Sequence, residues 1–175
     1  DGQLGNGGTT DKLTPTLTSS LGTGRTAVAI SSGRAHTCTI LDNGSVSCWG
    51  YGFYGELGNG GNSNEVIPSL TSSLGSGRTA VAISSGDYHT CAILDNGSVS
   101  CWGGGLGGRL GNGQTSDKTI PTPAALDGRT AVALSSGRTH TCAILDNGSV
   151  SCWGGGFDGQ LGNGGTTDKL TPTLT

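Results

Sequence analysis

Six cysteines fall in three pairs of one spacing, Cys38 with Cys48, Cys91 with Cys101 and Cys142 with Cys152. A histidine, His36, His89 or His140, stands two residues before each pair. Such a pattern raises three chemistries: a zinc site, a nucleophilic centre or a disulfide framework. A structural zinc site takes four ligands, typically with a tight Cys-x-x-Cys knuckle, whereas each unit here offers two separated cysteines and one histidine. Nucleophilic catalysis would bring the histidine to an acid such as Asp42 and a hydroxyl such as Ser45. If the intervening residues form a strand and its turn, His36 and Asp42 lie about five strand residues, or roughly 16 Å, apart, far beyond hydrogen-bond reach. Disulfides are the expectation, with buried free thiols as the alternative, and an oxidising compartment follows from them. The histidines are then expected to be structural, bonding the backbone of a neighbouring unit.

Other residue types carry weaker signals. Trp49, Trp102 and Trp153 each follow a cysteine and precede glycine, as expected of packing anchors that bury against the small Ala and Ser face of the next unit. Asn43, Asn96 and Asn147 begin Asn-Gly-Ser triplets, which fit the acceptor pattern for N-linked sugar as well as plain turn chemistry. The segment LGNGG at Leu4, with Asp11 downstream, lacks the strand-to-helix setting of a phosphate loop and the carboxylates of a calcium loop, and reads as turns.

All of these residues belong to one repeating unit. The block GRTAVAISSG begins at Gly24 and Gly77 and returns as GRTAVALSSG at Gly128; LDNGSVSCWG begins at Leu41, Leu94 and Leu145. A step of about 50 residues suits four short strands with their turns. The boundaries expected are a partial repeat at 1–23, then units at 24–76, 77–127 and 128–175. Within a unit, Thr26–Ser31 reads as a strand buried on both sides, with Val28 and Ile30 on one face and Ala27 and Ala29 on the other. Thr37–Leu41 and Ser45–Trp49 read as a hairpin turned by Asp42, Asn43 and Gly44, with Gly44 at positive φ. In that register Ile40 faces Val46 and Cys38 faces Cys48 at a non-hydrogen-bonded position, where Cα atoms approach to about 4.5 Å and a bridge is feasible. A fourth strand is expected near Lys12–Thr18, irregular or at an edge because of Pro15. Residues 158–175 repeat residues 1–18 without a change, so the two ends duplicate rather than complete each other. Either the array is longer, or one copy's terminal segment occupies the equivalent place on its neighbour.

The stretch SSGRAHTCTILDNGSVSCWGYGFYGELGNG, Ser31 to Gly60, resembles the repeat of the regulator of chromosome condensation family, in which Gly-x-x-His, a Gly-turned hairpin, Trp-Gly and Gly-x-Leu-Gly recur in order. The resemblance implies a β-propeller, commonly of seven blades. The fold expected is all-β, with propeller-type blades of four-stranded antiparallel sheets. Three and a third repeats would give an incomplete ring or an open stacked array. The family's best-known activity is nucleotide exchange on a small GTPase, with chromatin binding; it also includes a secreted inhibitor of β-lactamase and a plant light sensor. The paired cysteines resemble its secreted microbial members rather than its nuclear ones.

Composition narrows the function classes. Glycine fills 35 of 175 positions, which excludes a helical bundle, because each interior glycine costs a helix about 1 kcal/mol. With nine basic and twelve acidic residues the formal net charge is -3, and no positive stripe suits nucleic acid. No apolar run approaches the roughly 20 residues that span a bilayer. Repeats share scaffold and differ where a surface is used. Tyr51, Phe53, Tyr54, Tyr88 and Arg109 are the residues whose type changes between units and suits an interface. The leading expectation is a non-catalytic, extracellular or cell-surface repeat scaffold. Its partners would be copies of itself or the rest of a longer parent chain, and it needs no metal or cofactor. The alternative is a protein- or glycan-binding module using the varied loops.

Overall fold

In the computed structural model, which describes residues 1–175, twelve strands form three antiparallel four-stranded sheets. Blade 1 is β1 (Ala27–Ser32), β2 (His36–Leu41), β3 (Val46–Gly50) and β4 (Glu65–Leu70). Blade 2 is β5 (Ala80–Ser85), β6 (His89–Leu94), β7 (Val99–Gly103) and β8 (Lys118–Pro123). Blade 3 is β9 (Ala131–Ser136), β10 (His140–Leu145), β11 (Val150–Gly154) and β12 (Lys169–Leu174). One short 3-10 turn, Leu106–Gly108, is the sole helical element, and no helix is long and apolar enough to cross a membrane. Each blade runs in chain order across its sheet, and the blades stack in sequence as an open arc rather than a closed ring.

The central hairpin of each blade is built by its turn. Gly44, Gly97 and Gly148 hold φ of 75°, 77° and 81°, a region that costs glycine nothing, and the chain returns with Ile40 opposite Val46 and Cys38 opposite Cys48. The Cα atoms of the cysteines are 4.1 Å apart, and all three pairs are bridged.

Burial on stacking comes from two unlike faces. Cys38, Ile40, Val46 and Cys48 of blade 1 join Ala80, Ala92, Leu94 and Trp102 of blade 2 around Leu57 in one cluster. Cys91, Ile93, Val99 and Cys101 of blade 2 join Ala131, Ala143, Leu145 and Trp153 of blade 3 around Leu110. Trp102 and Trp153 therefore bury against the disulfide and branched residues of the preceding blade, not against a small-residue face of the next. They share their own face with the alanines.

Two strand expectations need correction. The first strand is not buried on both sides: Val28, Val81 and Val132 are 65%, 60% and 63% exposed. The near-constant value shows that a missing neighbour is not the cause. Each valine is the extra residue of a β-bulge, since the register skips from Ala27 to Ala29, Ala80 to Ala82 and Ala131 to Ala133, and the bulge turns it out of the seam. Second, Lys12–Thr18 forms no strand, although its counterparts β4, β8 and β12 do. Those strands pair with the third strand of their own blade, and residues 1–11 form no strand that could pair with Lys12–Thr18.

Candidate functional site

The seam between blades repeats one set of polar contacts. His36 Nε2 meets Thr90 Oγ1 at 2.8 Å, and His89 Nε2 meets Thr141 Oγ1 at 2.8 Å. The partner is a side-chain hydroxyl rather than the backbone expected from sequence, because the strand pair that places the histidine also places the next unit's His-Thr-Cys strand beside it. Thr90 Oγ1 donates onward to the Glu56 carbonyl at 3.1 Å, and Trp102 Nε1 donates to that same oxygen at 2.8 Å. Thr141 and Trp153 converge likewise on the Arg109 carbonyl, and Thr37 and Trp49 on that of Gln3. Further seam bonds run from Ser85 N to Ser31 Oγ and from Ala80 N to the Gly44 carbonyl, with counterparts from Ser136 N to Ser84 Oγ and from Ala131 N to the Gly97 carbonyl.

The Gly-x-Leu-Gly loop ties each blade to the next. Gly58 packs so tightly on the Trp102 indole that a Cβ there would lie 2.8 Å from Nε1, and Gly111 meets Trp153 in the same way. Gly60 N and Gly113 N then bond the outer strand of the following blade at Thr119 and Leu170, each at 2.9 Å. Residues 1–8 make the same bonds on blade 1, with Gly5 against Trp49 and Gly7 N bonded to the Val66 carbonyl at 2.9 Å. The identical segment at 158–165 makes none of them: a Cβ at Gly159 would meet nothing within 4 Å. Blade 3 also leaves open the face that blades 1 and 2 cover. Ile144 is 44% exposed where Ile40 and Ile93 are 2% and 3% exposed.

The structure draws Tyr51, Phe53, Tyr54, Tyr88 and Arg109 together. Tyr51 lies 6.4 Å from Phe53 and 6.2 Å from Tyr54, while Phe53–Tyr54 and Tyr54–Tyr88 are edge-to-face pairs at 5.3 and 5.5 Å. Arg34 sits over the Tyr88 ring at 5.3 Å and donates to its hydroxyl. Tyr54, Tyr88, Leu106, Arg109, Asp117 and Arg138 line a cleft of about 310 Å³ between blades 2 and 3. Arg109 is buried, with its Nε–H donating to the Leu106 carbonyl at 2.9 Å, and burial pulls its pKa down.

Glu56 carried no role in the sequence beyond its variation between units, yet it is fully buried beside this cluster. One carboxylate oxygen accepts from Tyr54 N at 2.9 Å, and desolvation raises its pKa to about 7. Its signal was the Gln3, Glu56, Arg109, Gln160 series just before each Leu-Gly. The Thr after each histidine was equally visible, as part of a three-fold His-Thr-Cys string.

The remaining sequence candidates stand apart. Asn43, Asn96 and Asn147 lie on exposed hairpin tips, where each Oδ1 accepts from the backbone N and hydroxyl of the serine two residues on. Asp42 pairs with Arg25 at 3.4 Å rather than with a histidine.

Comparison with known proteins gives one family. The chain matches the regulator of chromosome condensation (RCC1) repeat over residues 1–40 and 43–93, and a second description of that repeat over 27–56, 80–114 and 131–160. It is 36% identical over 174 residues to the ultraviolet-B receptor UVR8 of Arabidopsis thaliana, with 98% of this chain and 39% of the receptor covered. It is also 36% identical over 175 residues to the human E3 ubiquitin-protein ligase HERC2, covering 98% of this chain and 4% of the ligase. The chain thus spans well under two thirds of these relatives. Among solved structures, human WBSCR16 aligns with a TM-score of 0.77 at 21% identity, covering 85% of this chain and 37% of that one. Yeast RCC1 (Prp20), in its complex with Kap60, aligns at 0.75 and 18%, covering 85% and 36%. These structural likenesses establish the propeller fold alone.

Proposed function

The chain belongs to the regulator of chromosome condensation repeat family, and from that premise we propose that it is a non-catalytic extracellular scaffold that extends blade on blade, joining copies of itself or further units of a longer parent chain. The observation that carries this reading is the open face of blade 3. Cys142, Ile144, Val150 and Cys152 repeat the face that blades 1 and 2 bury against the next blade. His140, Ser135 and the Gly148 carbonyl repeat its polar groups and have no following blade to meet. A face already used twice within one chain has its complement defined. Unlike edges and faces of this kind favour head-to-tail continuation.

Two further observations support the reading. His36, His89, Thr90, Thr141, Trp102 and Trp153, which would attract a catalytic interpretation, are spent on seam bonds, and these residue types recur in every unit instead of converging on one pocket. Three disulfides suit an oxidising compartment, hence an extracellular or cell-surface address, where the Asn43, Asn96 and Asn147 tips would be open to sugar attachment.

Light scattering across a concentration series tests the proposal. The mass should grow with concentration, and Ile144→Lys should hold the chain at monomer mass. A wild-type mass that stays monomeric throughout would overturn it.

A second reading, contact with a protein or glycan through the loops, is favoured by the four-ring cluster, which occurs once in the chain and leaves Phe53 and Tyr54 in solvent. Tyr54→Ala should abolish capture of such a ligand while leaving assembly unchanged.

A further inference from the structure

The cleft between blades 2 and 3 holds a cation without an ion-pair partner. Arg109 is only 5% exposed, its Nε–H donates to the Leu106 carbonyl, and its two terminal amino groups bond no atom of the protein. None of the four ion pairs in the chain includes it. A buried guanidinium left unpaired is costly, because the charge has given up water without gaining an anion. Arg109 lines the cleft, so an anion that reaches those amino groups enters there.

Blade stacking alone does not require this arrangement. At the first seam the counterparts of Gly104, Arg109, Asp117 and Arg138 are Tyr51, Glu56, Asn64 and Asp87. One seam puts a ring and two acids where the other puts open space and two cations. Gly104 makes the space: a Cβ there would already lie 3.4 Å from the Tyr88 Cβ and 3.7 Å from the Tyr54 Cβ, so a larger side chain would fill the gap beside both rings.

Deepening the loop-contact reading, on which it rests, we propose that this cleft binds a hexuronate unit of an acidic polysaccharide. The planar guanidinium presents parallel N–H groups that match a carboxylate. Arg34, Arg109 and Arg138 against Asp87 and Asp117 leave one positive charge around the cleft and its Tyr88 wall, which suits a single carboxylate better than a doubly charged phosphate. The Tyr54 and Tyr88 rings, edge to face at 5.5 Å, offer apolar surface to the C–H face of a pyranose. Asp117 spends one carboxylate oxygen on Gly105 N at 2.8 Å and keeps the other for a ligand hydroxyl. With the Thr139 hydroxyl it makes the cleft polar enough that an apolar acid would leave groups unpaired. A volume of about 310 Å³ stands at the lower end of ligand sites and suits a sugar ring rather than a broad protein surface.

Titration of the full chain with trimers of galacturonate and of glucuronate, followed at the Tyr88 and Thr139 amides in nitrogen–proton correlation spectra, tests the site. One trimer or both should shift these resonances saturably, with a dissociation constant of about 1 mM or below. The methyl esters keep the rings and lose the charge, and should bind at least tenfold more weakly. Gly104→Tyr restores the first seam's residue and Arg109→Gln places the third unit's residue, so both are at home in this scaffold. Each should abolish the shift while the tryptophan indole resonances stay in place. Equal binding of acid and ester, lost in Tyr54→Ala, would overturn the carboxylate site and leave the loop-contact reading standing. Tighter binding of inorganic phosphate, or of an acetylated glutamate peptide, would overturn the sugar. No shift with any probe would overturn the site altogether, and capture by wild type against Tyr54→Ala then decides the loop-contact reading separately.

Discussion

His36 of blade 1 and Thr90 of blade 2 are 2.8 Å apart across the seam, and the geometry fixes which of them holds the proton. The threonine has one hydroxyl hydrogen and directs it to the Glu56 carbonyl, so its oxygen accepts from an Nε2–H tautomer of the histidine. Blade 1, blade 2 and the loop between them meet at one hydroxyl group.

Thr90→Val removes that junction while keeping the side chain's shape. It leaves the buried His36 Nε2–H without an acceptor, a loss of about 1–3 kcal/mol. Thr37→Val should cost less, since the Thr37 hydroxyl bonds only the Gln3 carbonyl at 3.2 Å and meets no histidine ring. Denaturation midpoints of the two variants check the order; equal losses would show that the histidine bond adds nothing.

Acid should unfold the stack through the same histidines. Burial lowers His36 to about 4 and His89 to about 3, and His140 shifts the same way. Between those values and the ordinary 6.5 the unfolded chain binds more protons than the native one. Stability therefore rises with pH across this window and is lost on the way down, by about 3 kcal/mol for His36 alone. Denaturation midpoints followed from pH 7 to pH 4 check the slope; a flat profile would show that the histidines protonate within the fold.

Glu56 works in the opposite direction. Its pKa of about 7 lies above that of the unfolded chain, so the native state holds the extra proton and ionisation costs stability as pH rises from about 4.3 to 7. Relative to wild type, Glu56→Gln should gain stability steadily between pH 5 and pH 7.5. Denaturation curves at several pH values read this directly, and parallel profiles would show that the carboxylate ionises freely in the fold.

Gly58→Ala should damage blade 2 from a loop that leaves blade 1. The added Cβ would lie 2.8 Å from Trp102 Nε1, whose hydrogen bond to the Glu56 carbonyl is 2.8 Å long. Either the loop lifts or the indole loses its acceptor. A loss above about 2 kcal/mol is expected, roughly 1 of it from the left-handed φ. Near-ultraviolet circular dichroism should show the tryptophan band weaken; an unchanged band with small loss would place the loop away from the indole.

The parts of this fold visible in the sequence are those set by local chemistry. Asp-Asn-Gly fixed the turn, the turn fixed Cys38 opposite Cys48, and the three-fold recurrence fixed one blade per unit. What depended on a partner strand or a neighbouring blade stayed hidden. Val28 alternates like a core residue, but the bulge that turns it outward is a feature of pairing. The tryptophan's direction was misread because Ala-rich and Cys-rich faces both look buried until one knows which meets which. Lys12–Thr18 has the composition of its paired counterparts and lacks only the strand beside it. The five surface candidates came from differences between units, which mark a varied surface, whereas Glu56 lay in the same series and gave no sign of its burial.

Access to reductant should follow the position of each bridge in the stack. Removing any one bridge costs a comparable amount, about 2–3 kcal/mol by loop-closure entropy, because all three close the same ten-residue separation. Their surroundings differ. Cys38, Cys48, Cys91 and Cys101 are sealed beneath a following blade, while Cys142 is part-exposed on the open face. Exchange requires a thiolate to reach a sulfur, so Cys142–Cys152 should be reduced first, with the other two protected until the blades part. Timed alkylation followed by peptide mass analysis would order the three. Assembly should register in the same measurement: a second copy seated on blade 3 should slow reduction of Cys142–Cys152 as concentration rises and leave the inner bridges unchanged. Equal rates at all three bridges would mean that the seams open faster than thiols exchange, and that stacking shields nothing.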